Sequence, residues 1–210
     1  MRIGIDFDNT IVCYDQVFHA VALEAGSIPA GLPVNKLAVR DHLRAIDRED
    51  DWTEMQGVVY TTRILDADPF PGVTEFLRRV KAAGIETAIV SQKTVYPFRG
   101  EKHNLHDAAR GWIAAKLQEG RGALLPAECV FFELTKQAKL ARIESLKCTH
   151  FIDDLPEILL DPAFPAGVTP ILFDPAGALE TTGPLLRMET WSHILNFFEA
   201  KWATPKRMTS

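Results

Sequence analysis

Residues 2–10 read RIGIDFDNT. An apolar run, Ile3–Ile5, ends at a polar cluster that contains Asp6, Asp8 and Thr10. Short apolar runs of this kind are typical of strands buried inside a parallel sheet. Further along the chain, similar runs alternate with longer amphipathic stretches, which is the pattern of a parallel sheet covered by helices. We therefore predict an α/β fold with a mainly parallel, Rossmann-like sheet in a three-layer arrangement.

The predicted elements cover most of the chain. The stretch Thr74–Ala83 has apolar residues at helical spacing and stops at Gly84, a residue type that often ends helices. Thr135 suits the N-cap position of another helix. The predicted strands are Arg2–Ile5, Ile85–Val90, Cys129–Phe132, Thr149–Ile152 and Thr169–Phe173, and the predicted helices are Thr74–Ala83, Asp107–Gln118, Thr135–Leu146 and Trp191–Phe198.

One region departs from this alternation. Residues 14–69 are mostly helical in character, with an interruption rich in proline and glycine at Ile28–Pro33. We predict a small helical cap here, inserted after the first strand and packed over the carboxyl edge of the sheet, where open parallel sheets bind ligands. The alternative is a structural appendage without a role in binding. The predicted organisation is a core of residues 1–13 and 70–200, a cap of residues 14–69, and a flexible tail of residues 203–210.

The polar side chains of greatest chemical interest follow the predicted strands. Asp6 and Asp8 follow the first strand, Ser91 the second, and Asp153 with Asp154 the fourth. Because the carboxyl ends of parallel strands lie side by side, we expect these side chains to converge. Two like charges about 4 Å apart repel by a few kcal/mol at an effective dielectric of about 20, so such a cluster is tolerated mainly where a cation binds. Carboxylate sites of this kind suit magnesium, which shares its remaining positions with water and phosphate.

Composition and charge limit the other functions. The 210 residues suit one domain, or one domain with a small insertion. A net charge of -5 gives no support to nucleic-acid binding, which usually needs a basic face. Cys13, Cys129 and Cys148 are too few and too scattered for a disulfide framework. The sequence shows no signal-peptide pattern and no apolar stretch of about 20 residues, so we expect a cytoplasmic protein that does not bind membranes.

Together, the polar residues resemble the four motifs of the haloacid dehalogenase (HAD) superfamily. The matches are Asp6–Thr10, Ser91, a downstream lysine and Ile152–Asp154, in the order of the family and over about residues 1–175. The resemblance implies a HAD-like core and a magnesium-dependent hydrolase. The presence of Asp8 favours the phosphatase branch, because haloacid dehalogenases proper need no acid/base group two residues after the nucleophile.

The resemblance also implies roles for the residues of the first two motifs. Asp6 matches the nucleophile that forms an aspartyl-phosphate intermediate, a strategy that divides one difficult displacement into two easier ones. Asp8 matches the general acid/base, and its backbone carbonyl matches a metal ligand. Thr10 matches the position that orients the loop. Ser91 matches the residue that hydrogen-bonds the transferring phosphoryl group.

The implied magnesium ligands come from both ends of the sequence. Asp153 matches the direct carboxylate ligand, and Asp154 matches a direct or water-mediated one. With Asp6 and Asp8 they make up the predicted metal set. Lys93 follows the second motif closely, and we expect it to contact the phosphate or the leaving group.

The family also has a lysine that neutralises the nucleophile and the phosphate. Lys136, Lys139 and Lys147 all lie in the expected stretch, but Lys147 is too close to the fourth strand. Lys136 and Lys139 lie one turn apart on the same helix face. We favour Lys139, because Lys136 falls in the first turn of the helix, where the backbone frays. The alternative for either lysine is a solvated helix face.

The predicted function is the hydrolysis of a small phosphomonoester, either a sugar phosphate or a nucleotide-like compound, with Mg2+ as cofactor. The predicted partner is thus a small phosphorylated metabolite, without nucleic acid or membrane. A phosphotransferase or phosphomutase of the same superfamily is an alternative, and so is a catalytically silent relative that binds a phosphorylated ligand. His103 and His106 lie three residues apart, but no third ligand is evident, so exposed or capping roles are favoured.

Overall fold

The computed structural model describes residues 1–120, 122–177 and 185–202. The predicted tail, residues 203–210, lies outside the described residues. The strands are β1 (Arg2–Ile5), β2 (Val12–Cys13), β3 (Asp68–Pro69), β4 (Glu86–Gln92), β5 (Gln118–Glu119), β6 (Gly122–Ala123), β7 (Val130–Glu133), β8 (His150–Asp153), β9 (Thr169–Phe173) and β10 (Leu186–Met188). The helices are α1 (Asp15–Glu24), α2 (Lys36–Ala45), α3 (Glu49–Val59), α4 (Val73–Ala82), α5 (Leu105–Lys116), α6 (Lys136–Ser145), α7 (Pro156–Leu159) and α8 (Trp191–Trp202). None of these helices is long and apolar enough to cross a membrane.

Six of the strands form one sheet in the order β10-β9-β8-β1-β4-β7. Every neighbouring pair in this sheet is parallel, so the predicted α/β fold with a mainly parallel, Rossmann-like sheet is confirmed. The first strand lies near the centre, where Ile5 is opposite Ile89 on one side and Ile152 on the other. The carboxyl end of β1 therefore meets the carboxyl ends of β4 and β8.

Helices cover both faces of the sheet, because successive side chains of a strand point to opposite faces. Ile89 belongs to a buried cluster that includes side chains of α4, α5 and α8. Its neighbours Ala88 and Val90 belong to a second cluster, which includes side chains of α6 and α7. Ile152 and Phe151 divide between the two clusters in the same way. The sheet is therefore the middle of three layers.

The boundaries of several elements differ from the prediction. Strand β4 ends at Gln92, so Ser91 lies inside the strand and not after it. Strand β8 ends at Asp153, which makes Asp153 its last residue. Helix α8 extends to Trp202. The sequence prediction missed β10 and α7 because each is too short to show a periodic pattern.

Three helices lie in the region predicted as a helical cap. Helices α1, α2 and α3 each pack against the other two. The rings of Phe18 in α1 and Trp52 in α3 stack with their centroids 4.7 Å apart. Strands β2 and β3 pair antiparallel, with Val12 opposite Pro69. The chain therefore enters and leaves the three-helix region through one two-stranded ribbon.

Candidate active site

Asp6 lies at the centre of the carboxyl edge of the sheet. It follows β1 directly, and its backbone amide donates a hydrogen bond to the carbonyl of Ile152 at 2.8 Å. This bond continues the pairing of β1 with β8 by one residue. Both Asp6 and Asp153 are buried. The two carboxylates therefore lie side by side at the ends of neighbouring strands.

Lys139 joins these two carboxylates. Its ammonium donates to Asp6 Oδ1 and to Asp153 Oδ2, both at 2.6 Å, and the residue is 1% exposed. The lysine is aimed from the first turns of α6, whose N-terminus is capped by the hydroxyl of Thr135, as predicted. Lys136 instead pairs with Asp161. Of the two lysines that the sequence left open, the structure places Lys139 beside the predicted nucleophile.

Three carboxylates form a group that suits a metal ion. Asp6, Asp153 and Asp154 each offer one oxygen, and these oxygens lie within 4.8 Å of one another. Burial raises the pKa of Asp6 to about 7; Lys139 opposes the shift and Asp153 adds to it. Burial, and then the charges of Asp6 and Asp153, raises the pKa of Asp154 well above its usual range. This excess of buried negative charge on oxygen ligands fits a hard divalent cation.

The carboxylate of Asp8 is not part of that group. Its Oδ1 accepts a hydrogen bond from the Tyr14 hydroxyl at 2.7 Å, and its Oδ2 accepts one from the Lys93 ammonium at 2.6 Å. Burial, and then the charge of Asp8, raises the pKa of Tyr14 well above its usual range, so the hydroxyl stays a donor. A metal contact through the backbone carbonyl of Asp8 stays a prediction.

The backbone of Lys93 is held on two sides. Its amide donates to the carbonyl of Glu133 at 2.8 Å, and its carbonyl lies 2.9 Å from His106 Nε2. His106 therefore supports the segment after β4, whereas His103 pairs with Glu101 at the surface. The two histidines are not part of the carboxylate group at the strand ends.

The loop after Asp6 is held by residues from distant parts of the chain. The hydroxyl of Thr10 donates to Asp154 Oδ1 at 3.2 Å, and the backbone carbonyl of Thr10 accepts a hydrogen bond from the Trp191 indole at 3.0 Å. Asn9 has a φ of 58°, in the left-handed region, and its side-chain oxygen accepts a hydrogen bond from the Lys36 ammonium at 2.9 Å. The loop is therefore held by Asp154, the residue that follows β8, and by residues of α8 and α2.

Sequence reasoning did not identify three of these residues. Tyr14, Lys36 and Trp191 each contact the Asp6–Thr10 loop, yet no motif marks them. Tyr14 follows the loop by only a few residues, and this closeness is the one signal in the sequence that could have identified it. Lys36 opens an ordinary amphipathic helix, and Trp191 opens the last helix.

Two neighbouring cavities meet at Asp8. One, of about 260 Å³, is lined by Asp6, Ser91, Lys139 and Asp154 among others, and so contains the predicted nucleophile. The other, of about 270 Å³, lies between α3 and the segment that follows β4. Both are lined by Asp8 and Gln92.

Comparison with known proteins finds relatives by structure alone. No protein family matches the chain, and no curated protein matches it. A HAD-family hydrolase from Deinococcus radiodurans, solved with bound phosphate and sodium, is 17% identical, with a TM-score of 0.56 over 97% of both chains. The L-2-haloacid dehalogenase from Xanthobacter autotrophicus is 12% identical, with a TM-score of 0.56 over 94% of this chain and 98% of that one.

A third solved structure carries a phosphatase description. It is a "predicted phosphoglycolate phosphatase" from Haemophilus somnus, 16% identical, with a TM-score of 0.53 over 93% of this chain and 96% of that one. At such identities the likeness shows the fold alone. The chain has the fold of the HAD-superfamily hydrolases.

Proposed function

We propose that this chain is a magnesium-dependent hydrolase of a small phosphomonoester and that the reaction passes through an aspartyl phosphate, the acyl phosphate formed on Asp6. The arrangement of Asp6 carries the proposal. Asp6 lies in a group of three acidic residues, its carboxylate is paired with Lys139 at 2.6 Å, and Asp8 follows two residues later at the edge of the same cavity. A nucleophile, a fixed positive charge and an acid/base group are thus present together.

In the first step, a carboxylate oxygen of Asp6 attacks the phosphorus atom and the bond from phosphorus to the ester oxygen breaks. Asp8 acts here in its protonated form and gives that proton to the departing oxygen. In the second step, Asp8 takes a proton from a water molecule, whose oxygen attacks the phosphorus of the aspartyl phosphate. Inorganic phosphate leaves and the carboxylate of Asp6 is restored.

The other residues of the site serve charge and position in this proposal. Lys139 favours the ionised form of Asp6, against the effect of burial, and offsets the negative charge that builds up on the phosphoryl oxygens. Ser91, buried in β4, would hydrogen-bond the phosphoryl group. A magnesium ion held by Asp6, Asp153 and Asp154 would supply further positive charge to the phosphoryl oxygens.

The phosphatase reaction is favoured over dehalogenation even though a dehalogenase is among the structural neighbours. Departure of an alkoxide requires a proton, whereas departure of a halide does not. Asp8 can supply this proton in the proposed reaction, and it lines both cavities beside Asp6. The presence of this residue therefore supports the ester reaction.

We further propose that residues 14–69 act as a cap over a core of residues 1–13 and 70–200. Tyr14 and Lys36 of this region contact Asp8 and Asn9 beside the predicted nucleophile. A compact cap that closes over the site excludes water and selects small substrates, so the proposed partner is a small phosphorylated metabolite and neither nucleic acid nor membrane. A cytoplasmic location stays a prediction from the sequence.

The test is phosphate release from a panel of phosphorylated metabolites with magnesium. Wild-type protein is compared with Asp6→Asn and Asp8→Asn, and with Asp107→Asn as a matched change at an exposed aspartate on α5. We expect release that EDTA abolishes and that is lost in the first two variants only. Product esters in place of free phosphate would identify a phosphotransferase. No turnover by folded protein that binds magnesium would favour the silent relative.

A further inference from the structure

The cavity between α3 and the segment after β4 is a second binding space next to the proposed reaction centre. We call it the side cavity. Thr53, Gln56 and Tyr60 line it from α3 and its end, and Lys93, Thr94 and Phe98 line it from the opposite wall. Asp8 and Gln92 belong both to this cavity and to the one that contains Asp6. A phosphate near Asp6 would therefore place the rest of its ester in the side cavity.

Lys93 is the one positively charged side chain among the described residues that line the side cavity. It is 6% exposed, so its ammonium is largely removed from solvent. The rings of Tyr60 and Phe7 lie 5.0 and 5.7 Å from that ammonium. Apart from Asp8, the other lining residues are uncharged. A buried ammonium of this kind needs a counter-ion, and Asp8 now supplies it.

Asp8 is needed elsewhere during the proposed reaction. Both of its carboxylate oxygens accept hydrogen bonds, from Tyr14 and from Lys93. Tyr14 is 1% exposed and packs edge-on against Phe18 and Tyr60, which fixes its hydroxyl. The ammonium of Lys93, in contrast, is the end of a long, flexible side chain at the wall of the side cavity. When Asp8 turns to the ester oxygen, Lys93 is thus the partner that it releases, and the ammonium then needs another anion.

We infer that the leaving group of the substrate carries a carboxylate, which pairs with Lys93 in the side cavity. This inference deepens the proposed function and rests on it. Lys93 then acts as a specificity-determining residue: the substrate carboxylate replaces Asp8 as the partner of the ammonium, and the released Asp8 takes up a proton from solvent and gives it to the ester oxygen. A substrate with a neutral leaving group leaves the pair of Lys93 and Asp8 in place.

Charge and lining favour a carboxylate over a second phosphate group. Lys93 bears a single positive charge, and Thr53, Gln56, Gln92 and Thr94 offer only neutral hydrogen-bonding groups. One carboxylate matches this charge, and neutral donors around it suit the hydroxyl groups of a hydroxy acid. A dianionic phosphate would leave one negative charge unpaired next to Asp8.

The test compares substrates that differ only at the distal group. The pairs are 3-phosphoglycerate with glycerol 3-phosphate, and 6-phosphogluconate with glucitol 6-phosphate, in which a hydroxymethyl group replaces the carboxylate. Glucitol 1,6-bisphosphate provides the second phosphate. We expect kcat/KM with magnesium to be higher for the acid in at least one pair by about tenfold or more, because a site built around a charged contact rejects the analogue that lacks it.

Variants at Lys93 then assign the preference to this side chain. Lys93→Met should remove the preference by lowering kcat/KM for the acid at least about tenfold while changing that for the neutral ester far less. Lys93→Arg should retain the preference, because it keeps the charge. Thermal unfolding of both variants checks that they fold.

The outcomes separate the inference from the function on which it rests. If the neutral members are hydrolysed as well as the acids, or if Lys93→Met lowers both rates equally, the carboxylate inference is wrong and the hydrolase stands. If the bisphosphate is preferred over both acids, the ligand of Lys93 is a phosphate and the inference is also overturned. If folded wild-type protein hydrolyses none of these substrates and no other phosphomonoester, the proposed function is wrong, and the inference that rests on it is wrong as well.

Discussion

At the level of single residues, the site is a balance of buried charges. Four carboxylates lie at or beside the ends of β1 and β8: Asp6, Asp8, Asp153 and Asp154. Lys139 is bound to two of them and Lys93 to a third. Asp154 receives a hydrogen bond only from the Thr10 hydroxyl among the contacts of the described residues. It is therefore the carboxylate with the least compensation, which explains why its pKa is raised well above the usual range by burial and by Asp6 and Asp153.

Replacing Lys139 should abolish the reaction. Lys139→Met removes the ammonium from between Asp6 and Asp153, and we expect kcat to fall by about a hundredfold or more, since the charge that builds up on the phosphoryl group loses a fixed partner. Lys136→Met is the matched control: it lies one turn away on α6 and pairs with Asp161. Steady-state phosphate release checks both. Equal losses in the two variants would assign the effect to the helix and not to the ammonium.

Asp154→Asn should separate stability from metal binding. Removing one of several like charges relieves repulsion, so we expect the metal-free variant to have a free energy of unfolding about 1–2 kcal/mol above that of the wild type. The same change removes an oxygen ligand from the acidic group. Magnesium should therefore raise the melting temperature of the wild type and have little effect on the variant. A variant that is less stable without metal, or that magnesium stabilises as before, would contradict the assigned role.

At the level of the elements, the sheet edge decides which residues meet. Apolar runs mark the strands well because the middle of a buried strand is mostly apolar, and β1 and β9 match their predicted bounds. Strands β4 and β8 both extend beyond their predicted ends. Ser91 and Asp153 are still paired with neighbouring strands in the sheet. Because both residues are polar, the sequence pattern wrongly indicates that the strand has already ended before each of them. The two-stranded ribbon β2–β3 is shorter still, and its partners are separated by the whole three-helix region.

Gly4 is the residue of β1 that allows close packing with β8. A Cβ atom at this position would lie 2.5 Å from Cδ2 of Phe151, a fully buried ring, and 3.1 Å from the sulfur of Cys148. We expect Gly4→Ala to lower the free energy of unfolding by about 1–3 kcal/mol, because the ring must shift in a filled core.

Gly111→Ala provides the matched control for that substitution. Gly111 lies in α5, and a Cβ there would meet nothing within 4 Å. Alanine should stabilise this helix by up to about 1 kcal/mol, since glycine is the poorer helix former. Chemical denaturation measures both variants. A Gly4→Ala protein as stable as the wild type would show that the strands separate without cost.

At the scale of the whole molecule, the candidate site is built from residues that lie far apart in the sequence. Asp6, Asp8 and Asp153 were predictable because each follows or ends an apolar run, and parallel strands bring such positions together. Lys36 and Trp191 were not, because their contacts with the Asp6–Thr10 loop depend on how three helices pack and on where α8 closes against the sheet. Patterns in a sequence report local structure, and these contacts are set by the tertiary packing.

The acidic group should also govern how stability depends on pH. Burial raises the pKa of Asp6 to about 7, with Lys139 opposing and Asp153 and Asp8 adding to the shift. The folded protein therefore binds a proton that the unfolded chain has already released, and stability is lost as the pH rises through about 7. His150, whose pKa burial lowers to about 4, acts in the opposite direction: it adds stability as the pH rises from about 4 through its ordinary value of 6.5.

A comparison between pH 6.5 and pH 8, with and without magnesium, tests the contribution of Asp6. Without metal, the melting temperature should fall over that interval, because Asp6 loses its proton beside Asp153 and Asp154. Magnesium should restore more stability at pH 8 than at pH 6.5, since protons and the metal compete for the same carboxylates. Calorimetry with EDTA or with magnesium at each pH provides the four values needed. Equal stabilisation at both pH values would mean that the cation does not bind through Asp6, and the proposed metal site would then have to be built without the nucleophile.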